Sequence, residues 1–462
     1  MRQALLLLLL PQLLLQLQLL KAEETPQGHL EEFGKQGPNL GIDQVDGFIP
    51  PQEFINEYVR KNKPLLFKGA AKLSPAFNKW TDEYLSSMVP PRPAGDIFIE
   101  HSKKENRSQG YNFVHFKKFL EIYNTSNIYM VSDVPEYLLS DLLLPFPLQC
   151  RLFIRGGLDT HVVWFSSGGT SSVIHHDAYE NINCLYRGRK KLVFLNTTKY
   201  PEQAEKIIDR EEGSFSSVDV DKVDVTKRPE FSGLEFHIAE METGDCLYIP
   251  LFWIHQVRSF ENNLAVNIWW PPRTEYKLGE CMPQYSTKLN FNRVYFKTIE
   301  NNIRGDVDNI RLVLKAILPK DDRTEASLMK ILSGGNEALV ANPEFASAVS
   351  SIFKALDLNM DGELSDEELG RKLTRKDFRP IYKAVAAYNI IVYRMHETAG
   401  NGPEADRLPK LFRTSNSDES VFAPHRTWTQ PEPPGPEEEE DEMPTDDWQP
   451  PQAEPEKSKD EL

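Results

Sequence analysis

His175 and Asp177 lie two residues apart in a stretch that reads as a β-strand, and a third candidate, His255, follows far downstream. A strand turns residues i and i+2 to the same face, so His175 and Asp177 can grip one ion while His176 between them points away. Two imidazoles and one carboxylate leave about three coordination positions open, the ligand set of non-haem ferrous iron in oxygen chemistry. Any one of these residues alone reads more simply as a hydrogen-bonded core or turn residue. What carries the metal reading is their occurrence together with Lys190 and the run Gly244-Asp245-Cys246-Leu247-Tyr248-Ile249-Pro250-Leu251-Phe252-Trp253-Ile254-His255.

The segment Ser171-Ser172-Val173-Ile174-His175-His176-Asp177, followed by Asn181, Lys190 and the Gly244–His255 run, resembles the JmjC family of Fe(II)- and 2-oxoglutarate-dependent oxygenases. It is most similar to the small cupin-like members that hydroxylate protein side chains. Ile49-Pro50-Pro51-Gln52-Glu53-Phe54 and Lys63-Pro64-Leu65-Leu66-Phe67-Lys68-Gly69-Ala70 resemble the opening of such domains, and the likeness runs from Phe48 to Trp270. The resemblance implies iron held by His175, Asp177 and His255, with 2-oxoglutarate and O2 as co-reactants. It assigns Lys190, fifteen residues after His175, to the distal carboxylate of 2-oxoglutarate. A dicarboxylate inside a barrel needs its far charge neutralised. Ser172 and Tyr129 stand where relatives place hydroxyls on that carboxylate, and Asn181 and Asn267 where relatives line the cosubstrate pocket. Cys184 and Cys246 read as packing residues.

These residues must be positioned by β-structure. From Asp96 to Trp270 short β-rich runs such as Val162–Phe165, Lys191–Leu195, Cys246–Ile249 and Leu264–Trp269 are bounded by Gly, Pro and Asn, the pattern of a sandwich or barrel. Pro51–Arg60 and Trp80–Leu85 have helical spacing ahead of it, and Asn309–Leu318, Glu325–Leu332 and Pro380–Met395 after it. The expected fold is mainly β, and the resemblance implies that it is a jelly-roll or cupin double-stranded β-helix, with N-terminal helices before it and an α-helical region and a disordered acidic tail after it. The expected segments are a signal peptide at 1–22, a linker at 23–45, the oxygenase domain at 46–272, a helical region at 273–343, a calcium-loop region at 344–398 and the tail at 399–462.

Asp357-Leu358-Asn359-Met360-Asp361-Gly362-Glu363-Leu364-Ser365-Asp366-Glu367-Glu368 fits the EF-hand loop at every ligand position. Asp357, Asn359 and Asp361 offer side-chain oxygens, Ser365 one through water, Glu363 its carbonyl and Glu368 a bidentate carboxylate. Such loops usually pair, yet only one good loop is visible; a degenerate partner, a dimer contact and weak affinity all remain open.

The net charge of −16 over 462 residues is uneven, with 13 acidic and 3 basic residues from His425 onward. Neither part has the basic face that nucleic acid requires. The leucine-rich run after Met1-Arg2 matches a secretory signal peptide; Pro11, Gln12, Gln16 and Gln18 argue against a membrane span. Lys459-Asp460-Glu461-Leu462 is an endoplasmic-reticulum retrieval signal, which makes the KDEL receptor an expected partner. Sequons at Asn106, Asn124 and Asn196 suit that address. Four cysteines (Cys150, Cys184, Cys246, Cys281) allow three pairings or free thiols. The leading expectation is a lumenal hydroxylase acting on a secretory-pathway protein; the alternative is a calcium-binding, chaperone-like protein with an inactive barrel. The family resemblance also allows a homodimer through Lys288–Leu318.

Overall fold

A computed structural model describes residues 26–105, 112–209, 213–399, 408–410 and 412. The proposed signal peptide, the retrieval signal, the Asn106 sequon and most of the tail expected at 399–462 lie outside the described residues; Phe412, however, is buried against Tyr388 and exchanges hydrogen bonds with Asn389, which corrects the expectation of disorder from residue 399 onward.

Two long strands organise the molecule. β10 (Glu180–Leu195) and β13 (Ile254–Trp270) run antiparallel from Glu180↔Trp270 to Leu195↔Ile254. Their register shifts between Leu185 and Arg189, so two side-chain alternations meet at a bulge. There Gly188 has φ +78°, and a Cβ on it would meet backbone oxygens of Asn262 and Phe260. β12 (Cys246–Ile249) pairs with one half of β10 and β11 (Phe236–Met241) with the other. β8 (Thr160–Ser166) and β9 (Thr170–Ser171) pair with β13. The sheet continues from β12 through β3 (Leu65–Lys68) to β2 (Asp43–Asp46), and from β8 through β6 (Tyr129–Asp133) and β4 (Asp96–Glu100) to β5 (Asn112–His115). The fold is the mainly β cupin expected, a single 12-stranded sheet folded around a central cavity.

The sheet's back is sealed by aromatic packing. Phe54 packs on Phe67, Tyr248 and Trp270, with centroids 5.0 to 6.4 Å apart, and all four are buried. Burying such side chains is the main drive for closing the barrel.

Two expectations are corrected. Residues 26–45, read as a linker for their polar, Gly- and Pro-bearing composition, pack onto the sheet: Phe33 joins a core with Phe231 and Phe236, and β1 (Asn39–Leu40) pairs in parallel with β11. A single aromatic anchor, Phe33, outweighs the local composition. The stretch around His175 is not a regular strand; His175 forms only isolated bridges to Phe215 and His255.

The open question of the cysteines is answered by strand register. Cys184 and Cys246 face each other across β10 and β12 and form a disulfide; Cys150 and Cys281 form the other. The latter closes a span of 131 residues, binding the segment after β13 to the stretch between β6 and β8. Beyond it, α1 (Lys297–Ile317), α2 (Glu325–Leu332), α3 (Pro343–Leu356) and α4 (Arg375–Ala399) enclose a second core around Val307, Leu328, Ile352 and Phe378. Among the described residues no helix is long and apolar enough to cross a membrane.

Replacing Cys150 and Cys281 together by serine is expected to cost ~2–5 kcal/mol in denaturant unfolding, because the unfolded chain regains a long loop. Peptide mapping without reductant should recover the 150–281 and 184–246 linked pairs.

Candidate metal centre and cosubstrate cavity

His175 and His255 are joined through their main chains: His175 N donates to His255 O at 3.0 Å and His255 N to His175 O at 2.7 Å. This reciprocal pair brings the two imidazoles to a centroid separation of 4.2 Å. Asp177 is held to the same frame, since its carbonyl accepts from Phe252 N at 2.9 Å. Phe252 has φ +60°, and its turn is fixed by Glu180, whose carboxylate accepts from Leu251 N at 3.1 Å and Tyr248 Oη at 2.6 Å. Burial pushes the Glu180 carboxyl up to about 7.

The side chains converge. One ligand atom from each of His175, Asp177 and His255 lies within 4.8 Å of the others, with His255 Nε2 3.9 Å from Asp177 Oδ2. Both imidazoles have the right tautomer for a metal. His175 Nδ1 lies 2.9 Å from Val173 O and His255 Nδ1 2.9 Å from Trp253 O. A carbonyl only accepts, so each Nδ1 carries the proton and each Nε2 keeps its lone pair. Metal-binding histidines are oriented in this way. Burial lowers the His255 pKa, keeping that ring neutral, and raises that of Asp177, an effect His175 opposes. These three donors fit a divalent transition ion with open positions. His176, expected to point away, lines the same cavity with its ring edge-on to Phe252.

The cavity measures about 510 Å³ and lies inside the barrel. Inward-facing residues follow the two-residue period on each side of the bulge: Asn181 and Asn183, then Lys190 and Leu192, on β10; His255, Val257 and Ser259, then Asn263, Asn267 and Trp269, on β13. Lys190 is 6% exposed, and its ammonium donates to Ser259 Oγ at 3.0 Å. No ion pair to Lys190 occurs among the described residues, and burial brings it down to about 8. A buried cation with no carboxylate beside it is a costly arrangement unless an anion binds there.

Other expected cavity residues are present but differently engaged. Ser172 Oγ accepts from Val257 N at 2.9 Å and donates to Val173 O at 3.0 Å, so it stitches the His175 segment to β13. Tyr129 lines the cavity, with its hydroxyl bonded to Glu100. Asn267 Nδ2 donates to Asn181 Oδ1 at 3.0 Å, and Asn183 Nδ2 donates to Asn267 Oδ1. Sequence reasoning missed Asn183 and Ser259. Their signal was periodicity: Asn183 is two residues past Asn181, and Ser259 four past His255.

The 357–368 loop is formed, with Gly362 at φ +86° in its sharp turn. Asp357 accepts from the amides of Asp361 and Gly362 at 3.1 and 3.0 Å, and Asn359 Nδ2 donates to Asp361 at 2.8 Å. Glu368 accepts from Leu358 N, Asn359 N and Ser365 N at 2.8, 3.2 and 2.9 Å. Among the described residues only the His175–Asp177–His255 set gathers three such donors within 4.8 Å; Asp357, Asp361 and Glu368 cap backbone amides instead. Glu363 bridges antiparallel to Thr324, and Leu364 N donates to Arg323 O at 3.0 Å, so the loop pairs with the α1–α2 connection. Asn124 and Asn196 lie at the surface, and the Asn196 side-chain oxygen accepts from the amides of Thr198 and Lys199.

Comparison with known proteins agrees with this geometry. Residues 50–276 match the family described as "Cupin-like domain". The chain is 29% identical over 241 residues to "Lysine-specific demethylase JMJ30" of Arabidopsis thaliana, covering 48% of this chain and 53% of that protein. It is 23% identical to "Bifunctional peptidase and (3S)-lysyl hydroxylase JMJD7" of Homo sapiens, covering 52% and 86%, and 25% identical to "tRNA wybutosine-synthesizing protein 5" of Homo sapiens, covering 55% and 84%. The chain spans about half the length of the demethylase relatives it matches. Residues 50–276 are thus a cupin-like domain of the JmjC type.

Proposed function

We propose that this chain is an Fe(II)- and 2-oxoglutarate-dependent protein hydroxylase of the endoplasmic-reticulum lumen, with calcium bound at residues 357–368. The observation that carries the oxygenase reading is the set of three converging ligand atoms with both Nδ1 protons tied to carbonyls. That intact set argues against the inactive-barrel alternative. Hydroxylation rather than demethylation is favoured by the fuller coverage of the lysyl hydroxylase relative. The lumenal address rests on the two terminal motifs, and two disulfides suit an oxidising compartment.

When bound, ferrous iron with 2-oxoglutarate supplies the oxidation: the 2-oxo acid and O2 become succinate and CO2 as one oxygen enters a substrate C–H bond. His175, Asp177 and His255 would hold the iron. Lys190, steadied by Ser259, would neutralise the far carboxylate and so set the cosubstrate's direction. The Asn181–Asn267–Asn183 ladder keeps the inner wall polar without charge. The barrel's aromatic walls keep water from the reacting carbon.

Asp177→Ala is expected to raise the Mn(II) dissociation constant at least ~100-fold, since a direct ligand outweighs the outer-shell partners that already matter 10–100-fold. In cells, mass spectrometry of lumenal proteins should find one-oxygen additions with the native chain and none with Asp177→Ala; their persistence would remove the hydroxylase reading.

Lys190→Met should separate stability from function. It should abolish 2-oxoglutarate binding yet stabilise the free protein by roughly 1 kcal/mol or more, because an unpaired buried charge is removed. The sign follows from the lowered pKa. Between about 8 and the ordinary lysine value the unfolded chain binds more protons, so native stability rises with pH across that window. Affinity for 2-oxoglutarate runs the other way, weakening above pH 8 as the ammonium is lost; titration of the dissociation constant from pH 6.5 to 9.5 reads it.

Calorimetry with calcium should give one site, weakened at least ~10-fold by Glu368→Gln, which loses the bidentate carboxylate.

A further inference from the structure

The calcium loop and the cosubstrate cavity lie in different domains, yet one helix is bonded to the loop at one end and to Asp159, next to the cavity wall, at the other. α1 carries Arg311, whose side chain is 3% exposed. Its guanidinium donates to the carbonyl of Glu368 at 2.7 and 3.2 Å and to that of Arg371 at 2.8 Å. Glu368 is the last loop ligand, whose carboxylate caps three loop amides and must leave them to grip calcium with both oxygens. Because Arg311 holds the Glu368 main chain, a backbone shift that accompanies this rearrangement reaches α1.

The other end of α1 is rooted in the barrel. Thr298 N donates to Asp159 O at 3.0 Å, and Thr298 Oγ donates to Asp159 Oδ1 at 2.9 Å. Asp159 N donates to Trp269 O at 2.8 Å, and the Asp159 carboxylate is hydrogen-bonded to Tyr179. Tyr179 and Trp269 stack at 6.2 Å and both line the cavity; Tyr179 is two residues from Asp177. Thr298 and Arg311 lie about 20 Å apart along a continuous helix, which transmits a push without bending. A second tie runs beside it. Glu300 of α1 is buried between Arg375, at 3.0 Å, and Arg379 of α4, and Arg379 also reaches Glu136 of the oxygenase domain at 3.3 Å.

We propose that calcium at the 357–368 loop tightens 2-oxoglutarate binding in the barrel, transmitted from Glu368 through Arg311 and α1 to the Asp159–Tyr179–Trp269 wall. This rests on the two sites read above. With both domains ordered by one ion, the cavity wall is pre-set before the cosubstrate arrives, and affinity rises. Linkage is reciprocal, so 2-oxoglutarate must tighten calcium by the same factor.

The test uses the full chain loaded with Mn(II), a redox-silent occupant of the iron site, and measures the 2-oxoglutarate dissociation constant by quenching of Trp164 and Trp269 fluorescence. It is run with saturating calcium and with a calcium-selective chelator. The expected result is about five-fold or more tighter binding with calcium, the lower end of ordinary coupling. Amide exchange of residues 157–163 should slow in step. Thr298→Val, which keeps the side-chain shape and loses the Asp159 bond, should bind calcium normally by calorimetry and lose the difference. Arg311→Lys, which cannot fork between two carbonyls, should do the same. Calcium binding by calorimetry with an unchanged or weaker 2-oxoglutarate constant overturns the coupling and leaves both sites standing. Failure to bind calcium removes the calcium reading and the coupling with it, while failure to bind 2-oxoglutarate under either condition removes the oxygenase reading.

Discussion

The reciprocal main-chain bonds between His175 and His255 are the constraint on which the site depends. Two residues eighty positions apart exchange both amide hydrogens, and this register alone decides that their imidazoles face one point. Once it is set, nearby backbone carbonyls fix each ring's tautomer, and Phe252 N ties in the Asp177 backbone. No side chain in the set chooses its own direction. The metal geometry is a property of the sheet, expressed through three side chains.

The same sheet explains the cavity. β10 and β13 are long enough to pass from one half of the barrel to the other, and the bulge at Gly188 lets them turn as they do so. On the metal side of that bulge His255, Val257 and Ser259 face inward; beyond it the asparagine ladder does. Lys190 therefore lies opposite Ser259, with a charge that an apolar barrel tolerates poorly. The cost is accepted where a dianion would be received, a local conflict of the kind that marks functional sites.

The C-terminal helices add a second core with its own hydrogen-bonding logic. The Thr324–Glu363 bridge and the Leu364 N bond to Arg323 O make one unit of the 357–368 loop and the α1–α2 connection. Arg311 and Glu300, both buried and charged, are held by partners on α4 and its approach, so the helices pack around fixed polar contacts as well as apolar ones. α1 thereby belongs to both cores.

Much of this was legible in the linear chain. The spacing of His175 and Asp177, the distance to Lys190 and the run ending at His255 point to chemistry through residue type and family resemblance. Short β-rich runs and helical spacing pointed to a sandwich or barrel followed by helices, and the family resemblance made that barrel a cupin. What local pattern could not decide was anything set by contacts distant in sequence. Phe33 turned an apparent linker into part of the core; strand register turned Cys184 and Cys246 into a disulfide; and Ser172 and Tyr129 proved to spend their hydroxyls on Val257 and Glu100. Asn183, Ser259, Arg311 and Thr298 carry no motif, because their roles exist only once β10 lies against β13 and α1 against the 357–368 loop. Residue types name the reaction, but a hydrogen bond's partner is chosen by three-dimensional neighbours, and only folding supplies those.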